Sequence, residues 1–141
     1  MDKQVTATGA KAYQRADTEW RIKPYSDWHR TLSKNLLMLD VDFIEWRIRD
    51  GALVAVGVME VTRADKDKVV SQGYLNAIIQ RYEERDLQAR VARQVAAALR
   101  TKAYIVLFRE DCSEFWTYNL TDRTGWVHRS AKQMAEFLES L

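Results

Sequence analysis

The chain reads as a mixed α/β protein, and three stretches predict it. Ala103–Phe108 is a nearly continuous apolar run of strand length, the pattern of a central strand buried on both faces. Residues 42–48 and Ala52–Arg63 are two apolar segments separated by Asp50-Gly51, a dipeptide suited to a tight hairpin turn. Between these stretches, Tyr74, Leu75, Ile78, Ile79 and Tyr82, then Leu87, Val91, Val95 and Leu99, recur at helical spacing. A hairpin, helices and then a central strand is an α/β order.

Taken in order, residues 1–20 lack sustained periodicity and predict an N-terminal arm, with a single domain over 21–141. Pro24 marks where that domain starts. Ser26 is placed to cap a first helix, Asp27 suits its first turn, and Trp28, Leu32 and Leu36 form a stripe ending near Met38. The hairpin follows, and then a charged segment over 64–72. The two helical stripes predict either two helices or one long kinked helix, with Asp86 capping the second. After the central strand, a turn through residues 110–113 leads to Phe115, Trp116, Thr117 and Tyr118, an alternating strand that closes the sheet. Asp122-Arg123-Thr124-Gly125 is turn chemistry. Ser130 and Gln133 form a capping box for a last helix that buries Met134, Phe137 and Leu138. Trp28, Trp46 and Trp116 fall on apolar stripes and predict core positions, leaving Trp20 and Trp126 free for contacts.

Composition narrows the function classes. A chain of 141 residues, 47% hydrophobic and 30% charged, is ordinary for one globular domain. No apolar run approaches the roughly 18 to 20 residues of a membrane span, and the first residues lack the apolar core of a signal peptide, so no membrane partner and a cytoplasmic location are expected. The one cysteine, Cys112, has no partner for an intrachain disulfide, and no Cys or His cluster has zinc spacing. A net charge of +2 does not mark a general polyanion binder. Residues 86–102 are locally basic, with Arg90, Arg93, Arg100 and Lys102 against Asp86, which suits either a phosphate backbone or a solvated face. Neither a nucleophile elbow nor a phosphate-cradling glycine loop is present.

The hairpin carries the chemistry. Side chains alternate along a strand, so Val54, Val56, Val58, Glu60 and Thr62 are expected on one face, and Asp42 with Ile44, Trp46 and Ile48 on one face of the first strand. A turn centred on Asp50-Gly51 sets Asp42 near Met59 and Glu60. Two carboxylates brought that close repel unless a cation lies between them, and hard oxygen donors favour Mg²⁺ or Mn²⁺.

A first-strand Asp, a hairpin, and a second strand ending in Val58-Met59-Glu60-Val61-Thr62 resembles the PD-(D/E)XK nuclease superfamily of restriction-endonuclease-like and Holliday-junction-resolvase-like enzymes. The resemblance covers roughly residues 26–120, with Trp28-His29-Arg30 on a preceding helix. It implies a restriction-endonuclease-like αβββαβ core, a central mixed sheet flanked by helices, here with an extra helix and a C-terminal helix. It implies an Mg²⁺-dependent endonuclease acting on nucleic-acid phosphodiesters, DNA foremost. Asp42, Glu60 and the Val61 carbonyl would hold Mg²⁺ or Mn²⁺, with Asp40 as the substitute for Asp42 in another register. Thr62 stands where the family has a lysine that positions water and offsets phosphate charge; a hydroxyl carries no such charge. Lys66 or Lys68 is placed to fold back as the missing cation. Arg30, Arg63, Lys66 and Lys68 are the candidate nucleic-acid contacts, and His29 would sit at the rim.

Thr62 also supports a different use of the same fold, a catalytically inactive module for nucleic-acid binding or protein interaction. A third reading is a homodimeric assembly component. The plainest account of the acids themselves is that Asp40 and Asp42 begin a strand and Glu60 ends one at the solvent or pairs with an arginine.

Overall fold

The computed structural model describes residues 18–141, so the N-terminal arm expected over 1–20 lies almost wholly outside the described residues. Among those residues the order is α1 (Thr18–Arg30), β1 (Phe43–Arg49), β2 (Ala52–Arg63), α2 (Gln72–Gln80), a π-helical segment (Arg81–Arg85), α3 (Gln88–Ala98), β3 (Ala103–Phe108), β4 (Glu114–Asn119), β5 (Trp126–Ser130) and α4 (Ala131–Ser140). The chain is therefore α/β, built on one five-stranded mixed sheet in the order β1-β2-β3-β4-β5. Only β2 and β3 run parallel; the other neighbours are antiparallel. The parallel pair is joined by the helical crossover that such pairs require.

That crossover covers one face of the sheet. Leu75 and Ile78 of α2, Tyr82 of the π-helical segment, and Ala89, Ala92 and Ala96 of α3 pack on Val58, Ala103, Ile105, Leu107, Trp116 and Tyr118. The contact stripe of α3 is alanine, with Val95 and Leu99 only half-buried, because small side chains let the helix approach the sheet closely. The opposite face is thinner: α4 sets Met134, Phe137 and Leu138 against Met59, Tyr104 and Val106. Its capping box forms as expected, with Ser130 and Gln133 each receiving the other's main-chain N–H. At its far end, Arg47 and Arg49 of β1 donate to the carbonyls of Leu138 and Leu141, a favourable placement of cations at a helix C-terminus.

The hairpin turns at Asp50-Gly51, where both residues take positive φ (53° and 75°), the signature of a two-residue primed turn. Beyond it, strict alternation fails once. Trp46 faces Ala55 but Glu45 faces Gly57, so Val56 is an extra residue bulged out of β2. Val54 therefore shares its face with Gly57 and not with Val58, contrary to the single run of alternation expected from the sequence. A one-residue shift carries every later side chain to the other face of the sheet. It also moves the pairing from Asp42 opposite Met59 to Phe43 opposite Met59, which brings Asp42 level with Glu60 on the same face.

Other elements depart from expectation. The first helix lies about eight residues earlier than the predicted 26–38, and Pro24 sits inside it. Thr31 ends it by bonding to the Trp28 carbonyl through both its hydroxyl and its N–H, and no regular structure follows until Phe43. Trp28 is 55% exposed and Trp46 42% exposed, so only Trp116 of the three expected core tryptophans is buried. Two strands, not three, precede the crossover, which leaves the described residues one strand short of αβββαβ. β4 does not close the sheet; β5 does, a short and largely exposed strand with little apolar signal. Asp86 does not cap α3; Leu87 holds that position in the left-handed region (φ 59°) with no side-chain cap.

Candidate active site

Glu60 is the side chain the fold has least reason to bury. It is 1% exposed, level with Ile105 on β3, and its carboxyl oxygens meet no hydrogen-bonding group other than those of Asp42. A carboxylate so placed is costly, and the group responds by holding its proton. Burial pushes its pKa up to about 8; the adjacent Asp42 carboxyl adds to the rise, Asp40 adds a smaller amount, and the Asp42 main chain opposes it. The expectation of a solvated strand-end glutamate does not describe this residue.

Asp42 is held at the same spot by the main chain. Its Oδ2 accepts the Val61 N–H at 2.8 Å, beyond the last β1–β2 pair. The N–H and C=O of one strand residue leave on the same edge, so the Val61 carbonyl is directed to that edge as well. Two carboxyl groups and one carbonyl thus meet where the hairpin opens.

The helical layer roofs this corner with two residues that sequence reasoning left as ordinary helix positions. Tyr82, 2% exposed, lies within electrostatic range of both acids: burial pushes its phenol up, the Arg81 guanidinium opposes, and Asp42 and Glu60 add to the rise. Arg81 donates from Nη2 to Thr62 Oγ1 at 3.4 Å, and its guanidinium carbon lies 4.9 Å from the centroid of the Tyr82 ring. Its Nε is buried without a hydrogen bond, 3.7 Å from Asp86 Oδ2. Thr62 and Arg81 also line an open groove of about 640 Å³, together with Arg63, Tyr74, Glu84 and Arg85. The only sequence signal for Arg81 was its place one residue before a striped tyrosine.

The remaining predicted residues do not converge on this corner in the same way. Arg30 is exposed and pairs with Asp27 at 3.7 Å, on a helix that has no extensive contact with any strand or helix. Arg63 points away from Thr62's face, as alternation requires, and pairs with Glu110 at 3.5 Å. Lys66 and Lys68 lie exposed in the loop after β2; it is Arg81, from the helical layer, that reaches Thr62. Asp40 is exposed and His29 half-buried.

The residues present fit a hard divalent cation. Glu60's carboxyl oxygens, the neighbouring Asp42 carboxyl and the Val61 carbonyl supply oxygen donors only, and Mg²⁺ is commonly bound through one or two carboxylates with the rest of its shell left to water and phosphate. Among the described residues no group of three or more His, Cys, Asp or Glu side chains is gathered for a metal. No protein-family model, curated protein or solved structure matches the chain. No helix among the described residues is long and apolar enough to cross a membrane.

Proposed function

We propose that the chain is a metal-dependent nuclease acting on nucleic-acid phosphodiesters, with a restriction-endonuclease-like core of the PD-(D/E)XK kind. The observation that carries this reading is Glu60, a buried carboxyl whose oxygens meet no partner but Asp42, the acid brought level with it by the bulge at Val56. The hairpin, the helical crossover and the parallel β2–β3 pair are features shared with such a core, of whose three leading strands the described residues supply two.

In this reading Asp42, Glu60 and the Val61 carbonyl would hold Mg²⁺ or Mn²⁺. The bound ion supplies a water of lowered pKa and screens charge on the phosphate. Arg81 provides the positive charge that Thr62 lacks, held toward the strand by the Thr62 hydroxyl. A guanidinium is always charged and presents forked donors suited to phosphate oxygens. Tyr82 closes the inner side of the corner against water. The groove beside Thr62 and Arg81 admits the substrate backbone, and DNA is the expected substrate.

The test is incubation of supercoiled and branched DNA with the wild type, Asp42→Asn and Glu60→Gln in Mg²⁺, Mn²⁺ and EDTA. Cutting that needs the metal and disappears in both variants supports the enzyme. Binding without cutting by the wild type supports the inactive module instead, a reading favoured by one observation: Leu36, Leu37, Met38 and Leu39 are four consecutive exposed apolar residues, an arrangement suited to a protein partner.

A further inference from the structure

Register partners place Thr62, Leu107, Trp116 and His128 in one row across β2, β3, β4 and β5. Partners on neighbouring strands share a face, so this row starts at the proposed site and ends on the edge strand, on the side of the helical layer. Three strand spacings separate its ends, about 14 Å. That is the rise of about four stacked nucleotides.

The far end of the row is built like a shelf. The His128 ring lies flat on Trp116, with centroids 4.7 Å apart and an interplanar angle of 1°. Glu114 Oε2 holds His128 Nε2 at 2.8 Å, while Glu114 Oε1 lies 3.6 Å from Arg109 Nε. Arg109 in turn sits 5.5 Å from the Trp116 ring centroid and donates to the Lys68 carbonyl at 2.8 Å. Trp116 is buried, whereas 58% of the His128 side chain is open to solvent. With one ring face on Trp116 and one nitrogen fixed, the open part includes the outer ring face. It looks onto a groove of about 1100 Å³ that also holds Val69, a large apolar side chain 81% exposed.

We propose that His128 is a stacking platform for an unpaired base, so that the strand engaged by this protein is single-stranded or locally splayed. This deepens the nuclease reading and rests on it for the direction of the strand, but the binding itself needs no metal. A base offers a π-face whatever its identity, which makes stacking tolerant of sequence. Charge is a minor contributor. Arg63 is paired with Glu110, Arg109 with Glu114, and Asp111 with the Ser113 hydroxyl and N–H, leaving Lys66 and Lys68 as the groove's unpaired cations against Asp65 and Asp67. Two phosphate contacts to a single strand give a salt slope of only about −1.4.

The experiment is fluorescence anisotropy of end-labelled (dT)₁₂ in EDTA, beside an abasic 12-mer carrying the same phosphates, with the wild type, His128→Ala and His128→Phe. Circular dichroism and thermal melts establish that each variant is folded. Stacking predicts about tenfold weaker (dT)₁₂ binding by His128→Ala, recovery to within about twofold in His128→Phe, and abasic binding as weak as that of the alanine variant. Equal binding of (dT)₁₂ and the abasic strand, an unaffected His128→Ala, or no binding by the wild type would overturn the proposal. The nuclease reading fails separately, by absence of metal-dependent cutting while base-dependent binding persists.

Discussion

Arg81, on the π-helical segment, donates to the hydroxyl of Thr62 on β2 across 3.4 Å, linking the helical layer to the strand position where the resembled nucleases carry a lysine. The pair sets a cation at the mouth of a groove without placing it on the strand. The first prediction follows from that division of labour.

Arg81→Ala should lower Mg²⁺-dependent cutting by roughly 100-fold, the usual cost of losing one well-placed charge-stabilising donor. Arg81→Lys should recover part of the loss, because the charge returns without the fork. Rates on labelled DNA, read beside thermal melts of each variant, separate this from simple unfolding.

Stability without divalent cations should fall as pH rises. Glu60 holds a proton in the folded state up to about pH 8, whereas unfolded it releases that proton near 4.5. Between these values the folded chain binds more protons than the unfolded one, so its stability declines across the window and levels off above it; below 4.5 this group contributes no slope. The total change is on the order of 5 kcal/mol. Urea titrations from pH 4 to 9 should show the decline in the wild type and its loss in Glu60→Gln.

Mn²⁺ should reverse that trend. A cation binds the ionised pair and displaces the Glu60 proton, so its affinity should rise about tenfold per pH unit up to pH 8. Calorimetry in buffers of different ionisation heat should report close to one proton released per ion at pH 7. Asp42→Asn should abolish both the binding and the stabilisation by Mn²⁺.

The alanine stripe of α3 should tolerate no enlargement. Ala92 and Ala96 are fully buried against the sheet, so Ala92→Leu has no space to occupy without moving the helix. The expected cost is roughly 1–3 kcal/mol, read as a lower urea midpoint. Because α3 follows the segment holding Arg81 and Tyr82, cutting should fall as well.

The sequence made some of this visible and hid the rest for physical reasons. Asp50-Gly51, the apolar run of β3 and the Ser130–Gln133 box carry local signals strong enough to locate a turn, a central strand and a helix start, and each appears in place. Asp42 and Glu60 were found as a pair because both sit beside apolar strand residues. The bulge at Val56 left no mark, since a valine in a valine-rich strand looks the same paired or unpaired. β5 was hidden by its short length and exposure, and α1 by a proline that normally begins a helix rather than lying within one. Arg81 was illegible because its role depends on a tertiary contact with Thr62, 19 positions away.

Val56 leaves one consequence for how such sites arise and vanish. The facing of Asp42 is a matter of parity, decided by whether the stretch between the turn and Glu60 contains one residue more than ideal pairing allows. Deleting Val56, with every acidic side chain untouched, would turn Asp42 toward α4 and leave Glu60 alone beneath Tyr82. A codon-sized change in length is therefore enough to disconnect the two acids, and chains alike in composition around this hairpin can differ in whether they possess the corner at all.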